Sequence, residues 1–312
     1  MQKAFPYLPS FEIKNIFKFS NKKIIFAKKN SMLKISELKN IATQVRRDII
    51  RMVNGAKSGH PGGSLGCTDF LTALYFNILD YDSKKFSMNG ENEDLFFLSN
   101  GHISPAFYSI LARAGFFEIS ELASFRKINS RLQGHPCTHD GLPGIRIASG
   151  SLGQGLSVAI GAALSKKLNN DNHIVYSLHG DGELEEGQIW EAAMFAAAKK
   201  VDNIISTVDY NGQQIDGTVE EVLDLGDLKA KWEAFGWIVL ETDGNNISKL
   251  IETLKIAKEK TGKKKPIVIL MKTEMGFGVD FMQGTNKWHG NPPNDEQTKI
   301  ALSQLQETIG DY

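Results

Sequence analysis

The chain has 312 residues, 41% of them apolar, and its 36 Lys and Arg balance 36 Asp and Glu. That is enough for one large α/β domain or two small ones, and the zero net charge argues against a nucleic-acid surface or an acidic solvating tail. Two cysteines, Cys67 and Cys137, make no disulfide framework and suit a reducing, cytoplasmic setting, and no apolar run approaches the roughly 18–20 residues of a membrane helix.

The first 31 residues hold seven lysines against one acid, Glu12, and their phenylalanines follow no helical period. Residues 1–35 therefore read as a disordered extension, or as upstream sequence ahead of a start at Met32; a mobile basic arm is the other reading. From Ser36 to Val53, Leu38, Ile41, Val45, Ile49 and Met52 recur at helical spacing. "SGHPGGSLG" (58–66) reads as a glycine-rich loop, and Cys67 to Leu79 as a second helix. "DLFFLSNGH" (94–102) reads as a buried strand closing on Gly-His, and Ala106 to Ala114 as a helix. Residues 126–150 are irregular, and 151–168 form a helix entered through glycines. Strands then alternate with helices: strand 173–179, helix 185–200, strand 203–211, helix 229–235, strand 237–244, helix 247–260 and strand 266–274. The domain is placed at 36–295, with 296–312 a polar tail holding part of a short helix.

The strands are apolar throughout rather than at every second residue. That pattern predicts an α/β fold, a mostly parallel sheet with helices on both faces. Such sheets bind ligands beyond the carboxyl ends of their strands. Gly-His after residue 100, GDG after 179 and Asp-Tyr-Asn after 208 all fall there.

In "HGDGELEEG" (179–187), Asp181 stands between two glycines at a strand end. The glycines let a bulky ligand approach and leave N–H groups for an anion. A carboxylate beside an anion repels it unless a cation lies between, which points to a divalent metal shared with phosphate. Asn211, at the next strand's end and 211 − 181 = 30 positions on, is the candidate second oxygen ligand. G-D-G alone is common in turns, as is Asn at a strand end; the joint pattern carries the weight. Glu183 and Glu185 read as solvated acids near a helix N-terminus, where negative charge is favoured. Four of the seven histidines (His60, His102, His135, His289) lie in Gly- or Pro-flanked loops, while His139 and His173 read as solvent residues and His179 as a strand-end packing group.

Taken together, "SGHPGGSLG", "LSNGHISPAFYSILARAG", "LQGHP", "GLPGIRIASGSLGQGLSVAIGAAL", "GDGELEEGQIWEA", "VDYNGQQIDG" and "WHGNPP" occur in the order expected of transketolase, over roughly residues 36–295. The chain resembles most closely the separate N-terminal subunit of split bacterial transketolases. The resemblance implies the thiamine diphosphate-binding fold, with thiamine diphosphate and Mg²⁺ (or Ca²⁺ or Mn²⁺) as cofactors. It implies Asp181 and Asn211 as metal ligands, with the backbone carbonyl of Gln213 as the third, and Gly182 as the N–H donor to the diphosphate. His102 and His289 match diphosphate-facing histidines, and Gly150 and Leu152 match contacts to the aminopyrimidine. His60 and His135 match histidines lining the substrate channel; with His289 they are the expected proton-handling groups. Glu186 matches a carboxylate that reaches toward the partner half.

The same resemblance implies a half-enzyme. The glutamate that activates the cofactor and the groups that grip the sugar phosphate belong to a C-terminal subunit, in an assembly of two of each chain. The implied reaction moves a two-carbon ketol unit from xylulose 5-phosphate to ribose 5-phosphate or erythrose 4-phosphate in the pentose phosphate pathway. The alternatives are a deoxyxylulose phosphate synthase-like enzyme, a specialised split ketol transferase, or a non-catalytic cofactor-binding module. The last is disfavoured because every motif histidine is present. One departure stands out: the usual "PGVE" is "PGIR", so Arg146 replaces an acid and alters either a subunit contact or a local ion pair.

Overall fold

The structure, a computed structural model, describes residues 32–312, so the expected extension lies outside the described residues up to residue 31. The first helix, α1 (Ile35–Ala56), buries Leu38, Ile41, Val45, Ile49 and Met52 along the predicted stripe. It ends at Lys57, whose left-handed backbone (φ 50°) turns the chain. It also carries charge into the core: Asp48 pairs with Arg113 at 2.6 Å, and Arg46 with Asp69 at 2.8 Å.

Pro61–Gly66 forms α2 where the sequence suggested a loop. Pro61 supplies a preset φ at the first helical position. The glycines answer to packing rather than to turning. A Cβ on Gly62 would lie 2.7 Å from Met275 Cγ and 2.9 Å from the Trp288 carbonyl, and one on Gly66 would lie 3.0 Å from the Glu274 carbonyl. The next helix is interrupted as well: α3 (Thr68–Ala73) passes into a π-helical turn at Leu74–Ile78.

The remaining elements follow the predicted alternation. They are β1 (Leu95–Leu98), α4 (Ser104–Arg113), α5 (Gln154–Leu168), β2 (Val175–Gly180), α6 (Gly187–Ala198) and β3 (Ile204–Tyr210). A two-residue hairpin, β4 (Gln213–Gln214) and β5 (Gly217–Thr218), leads into α7 (Val219–Leu223). Then come α8 (Leu228–Ala234), β6 (Ile238–Asp243), α9 (Ile247–Lys260), β7 (Ile267–Lys272) and α10 (Asp295–Gln304). The five long strands form one parallel sheet in the order β1-β2-β3-β7-β6.

Both faces of the sheet are covered, which is why its central strands are mostly apolar on both faces, while the edge strand β6 exposes Glu241 and Asp243. Phe96, Leu98, Tyr176, Leu178, Ile205 and Ile269 pack with α1, α3, α4 and α9. Leu95, Phe97, Val175, Ile204, Val208 and Leu270 pack with α5, α6 and α8 on the other side. The stretch from 296 onward runs against α1. Ala301 and Leu305 enter the core, and Asp311 accepts from Arg47 and Gln44.

Candidate active site

The parallel register sets Gly180 opposite Asp209, so the segments after β2 and β3 emerge side by side at one sheet edge. Here lies a cavity of about 270 Å³. His60, His102, His135, His289, Gly150, Leu152, Asp181, Gly182, Asn211 and Gln213 all line it, although they come from seven separate segments of chain. Glu186 does not. It is exposed at the start of α6, with its Cβ pressed toward Gly153.

Asp181 is 2% exposed, and both its oxygens accept from backbone N–H groups, Gly182 at 2.8 Å and Gly212 at 2.6 Å. Burial first, then the neighbouring charge of Asp209, pushes its carboxyl up to about 7, against the pull of those N–H groups. Asp209 is equally buried and is also pushed up by burial, although Thr273, Cys67 and Asn211 donate to it. Asn211 is held between these groups: its amide N–H donates to Asp209 at 3.0 Å, and its amide oxygen accepts from Gln213 N–H at 2.8 Å. Two buried carboxylates and an oriented amide form an electronegative end that a cation would relieve. Among the described residues no three His, Cys, Asp or Glu converge into a protein-only metal cage. A carboxylate, an amide and a carbonyl make instead a partial oxygen set, of the kind that phosphate oxygens would complete around a divalent cation.

The histidines gather at the other end. The His60 ring centroid lies 5.3 Å from His102, 5.7 Å from His289 and 6.3 Å from His135, and His102 stacks on His289 at 5.1 Å. Burial, helped by His289, Arg126 and His135, lowers His60 to about 4. Burial likewise holds His102, His135 and His289 below the ordinary imidazole value, so all four are neutral at pH 7. His60 Nδ1, His289 Nδ1 and Asn100 Oδ1 are buried without a partner among the described residues, and each belongs to a residue lining the cavity. Orphaned polar atoms of this kind call for a polar ligand.

Glu183 overturns its sequence reading as a solvated acid. It is 2% exposed because the 3₁₀ turn Gly182–Glu185 rolls it inward. One of its oxygens accepts from Ser99 Oγ and from Gly153 N–H (2.8 Å), the other from Gly180 N–H (3.1 Å). It thereby ties the ends of β1 and β2 to the loop bearing Gly150 and Leu152. His179 Nδ1 stands 3.8 Å away, so a titratable histidine on an apolar strand was the available sign of a buried acid nearby. His179 and Ser177 bond side chain to side chain at 2.9 Å, more than packing alone. His139 is exposed as expected, while His173 is half-buried and bonded to Asp171. Arg146 resolves as a local ion pair, bridging to Glu93 with its guanidinium 4.5 Å from the Phe86 ring centroid.

Comparison with known proteins follows the same lines. Residues 38–308 match the family described as transketolase, thiamine diphosphate binding domain. An apulose-4-phosphate transketolase subunit from Phocaeicola vulgatus is 38% identical over 264 residues, covering 85% of this chain and 92% of that protein. The 6-deoxy-6-sulfo-D-fructose transketolase subunit of a Clostridium species is 37% identical, covering 87% of this chain and 97% of that one. The crystal structure of transketolase from Campylobacter jejuni superposes with a TM-score of 0.81 at 32% identity, over 89% of this chain but only 44% of that one.

Proposed function

The chain belongs to the transketolase family through its thiamine diphosphate-binding domain, and from that premise we propose that it is one subunit of a two-chain ketol transferase. The observation that carries the reading is the cavity in which buried Asp181 and half-buried Asn211 face four neutral histidines. The cavity suits thiamine diphosphate with a divalent cation. Among the described residues its acidic end lacks a positive partner, and its histidine end presents orphaned donors and acceptors.

Asp181, the Asn211 side-chain oxygen and the Gln213 carbonyl would hold Mg²⁺, or Ca²⁺ or Mn²⁺ in its place. Gly182 N–H and His102 would meet the diphosphate, and Gly150 and Leu152 the aminopyrimidine. Thiamine diphosphate, when bound, supplies the electron sink that allows a carbon–carbon bond beside a carbonyl to break. The chain's own contribution is proton handling and orientation. Neutral His60 and His289 can each accept a proton from a substrate hydroxyl through one ring nitrogen while donating through the other. His135, exposed at the mouth, is placed to contact hydroxyls further along the substrate.

The partner is a second chain carrying the cofactor-activating glutamate, in an assembly of two of each. Relatives named as subunits match this chain over nearly their full length, which supports that reading. Exposed Glu186 is the proposed contact to the partner. Among the described residues no helix is long and apolar enough to cross a membrane, and a cytoplasmic setting is proposed.

The donor is proposed to be a ketose with an anionic terminus. Transfer from xylulose 5-phosphate to ribose 5-phosphate is one form of it. A specialised ketol transfer is the other, favoured by the apulose-4-phosphate and sulfofructose relatives. The test is to co-purify the chain with the product of the adjacent reading frame and to assay both donor types with Mg²⁺ and thiamine diphosphate. Ketol transfer by the pair and none by either chain alone is expected. Full activity from this chain alone would refute the two-chain reading, and cofactor binding without transfer from any donor would refute the enzyme.

A further inference from the structure

Three of the cavity histidines follow glycines, and the glycines of two of these pairs, Gly59-His60 and Gly134-His135, are packed against one dipeptide, Phe125-Arg126. A Cβ on Gly59, whose φ is +136°, would lie 3.3 Å from Phe125 Cε1, and one on Gly134 would lie 2.7 Å from the Arg126 Cζ and Nη2. The guanidinium therefore lies flat against the Gly134 backbone, where any side chain would displace it. Its Nη1 donates to Ser58 Oγ at 2.8 Å, two residues before His60.

Arg126 is itself held in an unusual state. Its φ is +56°, a left-handed conformation that an unbranched non-glycine residue adopts at some cost. Its backbone N–H closes the loop onto the Leu132 carbonyl at 2.8 Å. From the other side, α4 pins the same loop: Ser104 Oγ donates to the Gly134 carbonyl and Tyr108 OH to the Gln133 carbonyl. The guanidinium is half-buried, its Nε has no partner, and no carboxylate lies within ion-pair distance among the described residues. A half-buried cation without an anion is costly to keep. It does not line the cavity, so a direct substrate contact is not its role in this geometry.

We propose that Arg126 is a positioning residue for His60 and His135, clamping the two Gly-His segments at a fixed separation and keeping a positive charge beside both rings. The direction of the electrostatics agrees. His60 faces His102, His135, His289 and Arg126, and burial is the largest influence on it, followed by His289 and then Arg126. For His135, burial and then Arg126 lower the ring. Tyr108 is the titratable group on α4 that faces Arg126.

The proposal rests on the ketol-transfer reading for its kinetic arm alone. In the first arm, ¹⁵N-histidine spectra of the full chain are titrated for wild type, Arg126→Met and Arg126→Lys. The His60 and His135 midpoints are expected to rise toward the ordinary value in the Met variant and to stay depressed in the Lys variant, with His139 and His173 unmoved. Unmoved His60 and His135 midpoints in a folded Met variant overturn the proposal. Should the Met variant not fold, Ser58→Ala removes the hydrogen bond without the charge. It is expected to shift the His60 resonances, and an unchanged spectrum overturns the clamp. In the second arm, the assembled enzyme carrying Arg126→Met is expected to lose kcat on the order of 10²-fold with a smaller change in KM. Its acid limb should move to higher pH, with the limb restored by Arg126→Lys. A pH profile that does not move overturns the proposal. Absence of activity in the wild-type pair counts against the ketol-transfer reading and leaves the spectra to decide on Arg126.

Discussion

Removing the Glu183 carboxylate should loosen the crevice from behind. The group is buried and ionised. Burial opposes its charge, but His179, Ser99 and the Gly153 N–H outweigh burial and hold it below the usual carboxylate range. Glu183→Ala strands three donors at once: the Ser99 hydroxyl and the N–H groups of Gly153 and Gly180. An unsatisfied buried donor costs about 1–3 kcal/mol. Water entering the vacated space recovers part of three such penalties, so a net loss of about 3–5 kcal/mol is expected, as for other broken buried charge networks. Glu183→Gln keeps one acceptor oxygen and turns the other toward a donor as NH₂, for a smaller loss of about 1–3 kcal/mol. Urea unfolding of the full chain measures both. At a slope of about 3 kcal/mol per molar, a loss of 3 kcal/mol moves the midpoint by about 1 M. Cofactor affinity should fall with stability, because Glu183 holds the loop that carries Leu152. An Ala variant less than about 1 kcal/mol weaker than wild type would refute the account, because it would mean that the three donors find other partners.

Stability should also depend on the histidine cluster. His60, His102, His135 and His289 stay neutral in the fold below the pH at which an unfolded chain protonates them, about 6.5, and His60 does so down to about 4. At these four sites the unfolded state therefore binds more protons in that window, and their contribution to stability should decline as pH falls from about 6.5 toward 4. Asp181 and Asp209, raised by burial, act in the opposite sense over the same range. Urea midpoints that stay level from pH 7.5 to 5 in an Asp181→Asn variant, where one opposing group is removed, would contradict the histidine account. In the core, Asp48 is fully buried and accepts from Arg113 Nε (2.6 Å), Arg113 Nη2 (2.8 Å) and Ser109 Oγ (2.7 Å). Asp48→Ala should cost about 3–5 kcal/mol, and pairing Asp48→Leu with Arg113→Met should cost less, since no charge is left unpaired; equal losses on denaturation would refute the argument. Asp181→Ala should abolish Mg²⁺-dependent binding of thiamine diphosphate by calorimetry, and binding that survives would break the ligand assignment.

Much of this protein is legible along the chain. Strands that are largely apolar on both faces rather than on alternate residues belong to a sheet covered on both sides, and that local signal fixes the parallel α/β class and places the strand ends. Asp181 and Asn211 could be paired because one helix and one strand separate them, which brings adjacent tips together. The α9 boundaries, Ile247–Lys260, coincide with those read from the period of the apolar residues.

Other features depend on contacts between distant segments. Glycine looks the same in sequence whether it turns a loop or lets two segments touch, so α2 read as a loop until Met275 and Trp288 were seen against Gly62. Glu183 looks like its acidic neighbours, and only donors 84 and 30 residues away, on Ser99 and Gly153, decide that it is buried. Arg126 carried no signal at all, because its importance lies in what it rests on, the Gly134 backbone and the Ser58 hydroxyl. The apolar period and the strand-end residues are properties of neighbours in the chain, and the sequence states them directly. Whether a charge is buried or solvated, and whether a glycine turns or packs, depends on which remote atoms arrive beside it, and only the tertiary structure decides that.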